Sequence, residues 1–290
     1  MRFAMLAPDW PLPWMKTLPR AIVGRGHELV AEGPIDVALH MWASGQPLQE
    51  AKTNIFWLRR YELYEPDWQN IDWLRVDGAV FVNDWIREIV QTWLDDRGFT
   101  VPTHTIYNGI DVAEWTYRKR EPGTKIGMAC YVHPKKGLPL ALQVLAALPS
   151  DYTLHVAGAI QDGATAEYVC DWAKETGRDI SFYGGIPPER MDAWWDDKDY
   201  CLSASMTEGN PNNVIEAMAK GIKPLVHSWP GAKQQFGDWT WKTIDEAVRM
   251  IQDPWYDSAT YRATAEERFG LNNIVKIVKL AEDIHAKNIG

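Results

Sequence analysis

The chain has 290 residues, enough to bury one or two hydrophobic cores. Its 46% hydrophobic and 24% charged residues are the balance of a water-soluble globular protein, and no apolar run reaches the ~18 residues of a membrane span. A net charge of −9 argues against general affinity for nucleic acid or anionic membrane, and Cys130, Cys170 and Cys201 are too scattered for a disulfide framework or a zinc site.

The N-terminal MRFAMLAPDWPLPW opens on a strand, Arg2–Ala7, and lacks the long apolar run and cleavage site of a signal peptide. With its reduced cysteines the protein is expected in the cytoplasm, peripheral membrane association being left open. A helix follows over Met15–Arg25, leading to Gly26. Strands are expected at His27–Val30, Ile35–Leu39, Asn54–Leu58, Gly78–Val82 and His104–Tyr107. Between the last two, Asp84–Arg97 has a helical pattern with Trp85, Ile89, Val90 and Trp93 on one side. Arg118–Thr124 is polar, holds a proline and a glycine, and reads as a linker. A second series follows it. Strands at Lys125–Cys130, Thr153–Ala157, Ile180–Tyr183, Tyr200–Ser203 and Pro224–His227 alternate with helices at Leu138–Ala147, Ala164–Thr176, Pro188–Trp195 and Asn212–Lys220. Helical stretches at Ile244–Gln252 and Asn272–His285 close the chain. Strand alternating with helix implies an α/β protein with parallel sheets, and two such series imply a ligand cleft between the carboxyl ends of the two sheets.

The most informative segment is Ser203–Gly221, SASMTEGNPNNVIEAMAKG, which runs strand, loop, helix. The first N–H groups of a helix starting near Asn212 lack intrahelical partners and carry the positive end of the dipole, so a diphosphate would be held there without needing a cation. Gly209 lets the backbone approach a ligand closely. Glu216, about one turn into the helix, is placed to take two ribose hydroxyls, and Glu208 lies on the other side of the phosphates. The competing reading is an ordinary capped helix in which Glu216 pairs with Lys220 at i+4.

The pattern around these glutamates resembles the retaining GT-B-fold glycosyltransferases of the family 4-like kind, whose signature is E-G, six residues, E-A-x-A-x-G. Glu208, Gly209, Glu216, Ala217, Ala219 and Gly221 match it, and Pro224–Val226 and Gly231 follow in register. Tyr107–Asp111 is similar to the family's N-G-V-D turn, and His133–Leu138 to its S-P-E-K-G segment. Phe182–Gly185 is similar to the turn whose backbone holds the base, and Ala263–Phe269 to the segment leading a C-terminal helix back to the first domain. The resemblance implies two Rossmann-like domains facing each other across a cleft: an acceptor-side domain over 1–117, a donor-side domain over 118–265 and a returning helix over 266–290. It implies a transferase that moves a sugar from a nucleotide-diphosphate donor to a hydroxyl with retention of configuration. Lys136 would neutralise the diphosphate, Glu216 hold the ribose and Glu208 the donor sugar. Gly184, Ile186, Gly209, Asn210, Asn212, Asn213 and Val214 would complete the donor site. His40, ending the third strand, matches a histidine of the family's first domain and is assigned with Glu208 to the catalytic set.

The sequence departs from the family at Tyr131, where an arginine is usual five residues before the lysine of the K-G pair; Arg59 or Arg60 is the candidate replacement. It departs again at Asp9–Trp14, where a Gly-Gly turn is usual. Trp10, Trp14 and Trp42 follow the first and third strands and are candidates for stacking on an acceptor, with Arg59 and Arg60 beside them; packing is the alternative use of the chain's sixteen tryptophans. No cofactor and no metal are expected: Asp197-Lys198-Asp199 spells D-x-D but precedes a strand, on the wrong side of the sheet. The acceptor is left open among glycans, lipid-linked sugars, proteins and small molecules, with nucleic acid disfavoured by the net charge. The alternatives in function are a non-catalytic nucleotide- or sugar-binding domain of the same fold, or a nucleotide-sugar epimerase.

Overall fold

The computed structural model describes residues 1–6, 17–42 and 48–290. The chain divides into two compact units, residues 1–111 with 268–290, and residues 112–267.

The first unit is built on a six-stranded, wholly parallel sheet. Strand β1 (Arg2–Leu6) is followed by helix α1 (Thr17–Gly24), then β2 (Glu28–Leu29), β3 (Ile35–His40) and β4 (Ala51–Leu58). A short helix α2 (Arg60–Leu63) leads on to β5 (Gly78–Phe81), helix α3 (Asp84–Asp95) and β6 (Thr103–Thr105). The strand order is β2-β1-β3-β4-β5-β6. Helix α3 starts where Asn83 accepts a hydrogen bond from the Ile86 N–H, satisfying one orphan donor. Its Ile86, Val90 and Leu94 pack on the core of Phe3, Val37, Leu39, Ile55 and Phe81. Strand β4 begins three residues before the apolar run at Asn54 suggested. Its buried Thr53 and Asn54 are satisfied by His285 and by Asp77 and His40, so polar residues fit inside the sheet.

The second unit repeats the plan with the order β12-β11-β10-β7-β8-β9, again all parallel. Its elements are β7 (Lys125–Ala129), α4 (Leu138–Ala147), β8 (Thr153–Ala157), α5 (Gly163–Thr176), β9 (Ile180–Phe182) and α6 (Pro188–Trp195). Then come β10 (Tyr200–Ser203), α7 (Asn212–Ala219), β11 (Lys223–His227), α8 (Ala232–Phe236), β12 (Thr240–Trp241), α9 (Ile244–Gln252) and α10 (Ser258–Phe269). Strand β12 is too short to show a period-two pattern; it exists through its pairing with Val226 and His227 of β11. The stretch Arg118–Thr124, expected as a linker, is bound into this unit. Arg120 is buried and donates to the carbonyls of Lys220, Asp196 and Lys198, which a free linker would not need. The division of the chain accordingly falls before it, at Asp111–Val112.

The last helix, α11 (Asn272–Ile289), belongs to the first unit. Ile274, Ile277, Val278, Ala281 and Ile284 enter that unit's core. Glu282 accepts from Arg25 at 2.8 and 2.6 Å and lies 2.6 Å from His27 Nε2, fixing the helix beside α1.

Candidate functional site

In an open parallel sheet, ligands bind beyond the carboxyl ends of the strands, where the strand order reverses direction. In the second unit β7 leads outward to β8 and β9 on one side, and β10, β11 and β12 build outward on the other. The crevice therefore lies between the loops after β7 and β10. Lys136 is on the first loop and Glu208 on the second.

The backbone brings these loops together. Pro134–Lys136 form a single helical turn, and the His133 ring accepts from the Lys135 N–H at 3.2 Å. Gly137 ends the turn at φ +67°, and a Cβ there would lie 2.0 Å from the Ala204 carbonyl oxygen, so only glycine allows this approach. The Met206 N–H donates to the Lys135 carbonyl at 3.1 Å. With the loops so joined, Lys136 Nζ lies 2.5 Å from Glu208 Oε1, both side chains being largely covered. Ser205 Oγ donates to the same carboxylate oxygen at 2.8 Å. Burial pushes the thiol of nearby Cys130 up to about 11, so it stays protonated at neutral pH.

Helix α7 starts after Pro211, whose own side chain makes no capping hydrogen bond. Val214, Ile215, Ala217, Met218 and Ala219 anchor it in the core. Val214 is thus able to offer only its backbone to a ligand, whereas Asn212 and Asn213 are half-buried. Glu216 is partly accessible, but the surrounding protein holds its carboxyl up to about 7 by desolvation. The i+4 pair with Lys220 does not form. Lys220 is fully buried and turns instead to Asp192 at 2.5 Å and Asp196 at 2.8 Å. Gly184 follows β9 at φ +65°, and its carbonyl accepts from the Gly158 N–H at 2.7 Å. Ile186 is half-buried just beyond it.

In the first unit the strand order reverses between β1 and β3. His40 is the last residue of β3. It is buried, stacks on Phe56 at 4.5 Å and lies 2.9 Å from Asn54 Oδ1. The amide oxygen only accepts, so His40 Nε2 carries the proton, and burial lowers the ring's pKa and keeps it neutral. Trp42 is half-buried with its ring 5.6 Å from Tyr61. Trp10 and Trp14 lie outside the described residues. Arg59, named from sequence as a candidate replacement for the missing arginine, is buried: its guanidinium lies 4.1 Å over Trp57 and donates to Asn108 at 2.5 Å. Arg60 lies half-buried, 5.5 Å over Tyr64. Tyr131 is half exposed on the loop that carries Lys136.

Asp197 and Asp199 precede β10 and so lie at the amino ends of the strands, opposite the end that carries Glu208. Asp197 pairs with Lys125 and Lys198, and Asp199 accepts from the Lys125 N–H at 2.9 Å. Among the described residues there is no group of three or more histidine, cysteine or acidic side chains that could hold a metal ion. No described helix is long and apolar enough to cross a membrane. Ser205 and His227, whose Nδ1 lies 3.0 Å from the Ser205 carbonyl, join the site without a motif to mark them.

Residues 113–246 match the model of the glycosyl transferases group 1 family. No curated protein matches the chain by sequence. Among solved structures, HepE of Anabaena, in complex with UDP and glucose, superposes with a TM-score of 0.70 over 98% of this chain and 99% of its own, at 14% identity. Sucrose-phosphate synthase of Thermosynechococcus elongatus gives 0.76 over 99% of both chains at 12% identity. TarM of S. aureus gives 0.66 over 80% of this chain and 51% of its own, at 13% identity. At these identities the likeness is one of fold. The family match covers the unit that holds Lys136, Glu208 and Glu216, and the fold of the whole chain is that of these solved glycosyltransferase structures.

Proposed function

We propose that the protein transfers a sugar from a nucleotide-diphosphate donor to an acceptor hydroxyl with retention of configuration, without a metal ion. The observation that carries this reading is the meeting of Lys136 and Glu208 at the strand-order reversal of the unit matched by the family model. HepE, solved with UDP and with UDP-glucose, supports a nucleotide-sugar donor for a chain of this fold.

In this mechanism the start of α7 and Lys136 hold the diphosphate and stabilise the charge it gains as the sugar–phosphate bond breaks. Glu216 takes the ribose hydroxyls, and Glu208 contacts the donor sugar. An oxocarbenium-like centre forms, and the acceptor hydroxyl enters from the face the diphosphate leaves. The departing phosphate oxygen takes the acceptor's proton, so the protein acts by positioning and electrostatics and needs no separate base. The first unit is the proposed acceptor side, with His40, Trp42 and Arg60 as its candidate contacts.

A thermal-shift panel of UDP-, GDP-, ADP- and dTDP-sugars identifies the donor. A ligand at 100 times its dissociation constant adds about 2.7 kcal/mol to stability. Proton NMR of the transferred sugar then reads the anomer; inversion would refute retention while leaving the donor site standing.

A further inference from the structure

The loop between β10 and α7 is held from behind by a residue that no motif marks. Gln235 on α8 is fully buried. Its Nε2 donates to the Gly209 carbonyl at 2.7 Å, and its Oε1 accepts from Asn210 Nδ2 at 2.6 Å. The assignment of the amide is forced, because a backbone carbonyl only accepts. Nε2 must face Gly209, which leaves Oε1 for the amide hydrogens of Asn210. Both ends of one buried side chain therefore clamp two consecutive residues of the loop.

The clamp has a directional consequence. The Gly209 carbonyl and the Asn210 N–H belong to one planar trans peptide and point in opposite directions. Fixing the carbonyl toward α8 turns the Asn210 N–H away from α8. His227 at the end of β11 grips the other end of the same loop, its ring 3.0 Å from the Ser205 carbonyl. Between the two grips lies Glu208, bound to Lys136. A buried amide with both groups satisfied is a rigid support, since losing either partner would leave a polar group stranded in the core.

We propose that Gln235 is a positioning residue of the donor site: its amide orients the Gly209–Asn210 peptide, and with it the polar groups that the loop before α7 presents to a nucleoside diphosphate. This rests on the donor-site reading of the proposed function. Gln235 itself touches no substrate and acts through the loop.

The test uses Gln235→Met, which removes both hydrogen bonds at nearly constant volume, and Asn210→Ala, which removes only the loop-side partner. The probes are UDP, GDP, ADP and dTDP, titrated calorimetrically well below the melting temperature of each variant. The diphosphate that the wild type binds should bind Gln235→Met at least tenfold more weakly and Asn210→Ala at least threefold more weakly. Donor KM should rise with it. A purely structural Gln235 would lower the melting temperature and leave affinity and KM within twofold of wild type, and that result would overturn the inference. Should Gln235→Met fail to fold, Gln235→Glu, which keeps an acceptor for Asn210 and loses the donor to the Gly209 carbonyl, decides the matter by a threefold criterion. A wild type that binds none of the four would instead overturn the donor-site reading itself.

Discussion

Lys136 Nζ lies 2.5 Å from Glu208 Oε1, so the cation proposed to hold a diphosphate is already balanced by the carboxylate proposed to hold the donor sugar. A diphosphate that takes Lys136 must compete with Glu208 for it. Glu208→Ala should therefore bind free nucleoside diphosphate more tightly, by about 1 kcal/mol or about fivefold. The same change should lower kcat by more than it alters donor KM, because contacts to the sugar strengthen as the transition state gains positive charge. Calorimetry and steady-state kinetics read the two effects separately. Weaker diphosphate binding in the variant would show that the two groups do not compete.

Glu216 gives a prediction in pH. Its carboxyl is raised to about 7 by desolvation, from an ordinary 4.5. Ribose hydroxyls that donate to it favour the ionised form, so binding below about pH 7 should release a proton and tighten as pH rises. Titrations in two buffers of different ionisation enthalpy measure that proton. Glu216→Gln should abolish it, and Glu216→Ala should weaken donor binding by about 1.5–3 kcal/mol, seen mainly in KM. The sign for stability follows from linkage. The folded pKa is raised, so this group's contribution is full below pH 4.5 and is lost as pH rises through about 7. Glu216→Gln should remove that decline from the melting curve.

Glu282 behaves in the opposite sense. Hydrogen bonds from Arg25 and His27, partly offset by burial, hold its carboxyl down at about 2. Its contribution is present above pH 4.5 and is lost as pH falls toward 2. Glu282→Gln should cost about 1 kcal/mol at pH 7 and loosen α11, with the difference from wild type closing in acid. Melting curves across pH 2–7 measure it. A gap that stays constant across that range would contradict the linkage.

Removal of metal is the fourth prediction. With the start of α7 and Lys136 carrying the diphosphate, activity should be unchanged in excess EDTA. Loss of activity that magnesium or manganese restores would move the weight to Asp197 and Asp199.

Much of this was legible in the sequence because the deciding signals are local. The alternation of strand and helix reads directly as parallel sheets, and the spacing from Glu208 to Gly221 marks one strand–loop–helix unit. What could not be read depends on neighbours distant in the chain. Strand β12 is made by its partner and not by its own two residues. Arg120 is surface-like by type, yet it is buried because three carbonyls receive it. Gln235 sits in AKQQF, where nothing separates it from Gln234 except the direction it faces. The Lys136–Glu208 pair joins residues 72 positions apart, brought together by the glycine-permitted contact at Gly137 and the Met206–Lys135 backbone hydrogen bond.

The most direct test of the donor site is release of nucleoside diphosphate from a panel of nucleotide sugars by the wild type, with Lys136→Ala, Glu208→Ala and Glu216→Ala alongside. The wild type should turn over at least one donor, slowly with water alone and faster with acceptor. Lys136→Ala should lose about a hundredfold or more in kcat/KM, the scale expected for one group that stabilises developing charge. Circular dichroism should show all three variants folded. A wild type that neither binds nor cleaves any donor in the panel, or three variants with wild-type kinetics, would contradict the assignment of this site.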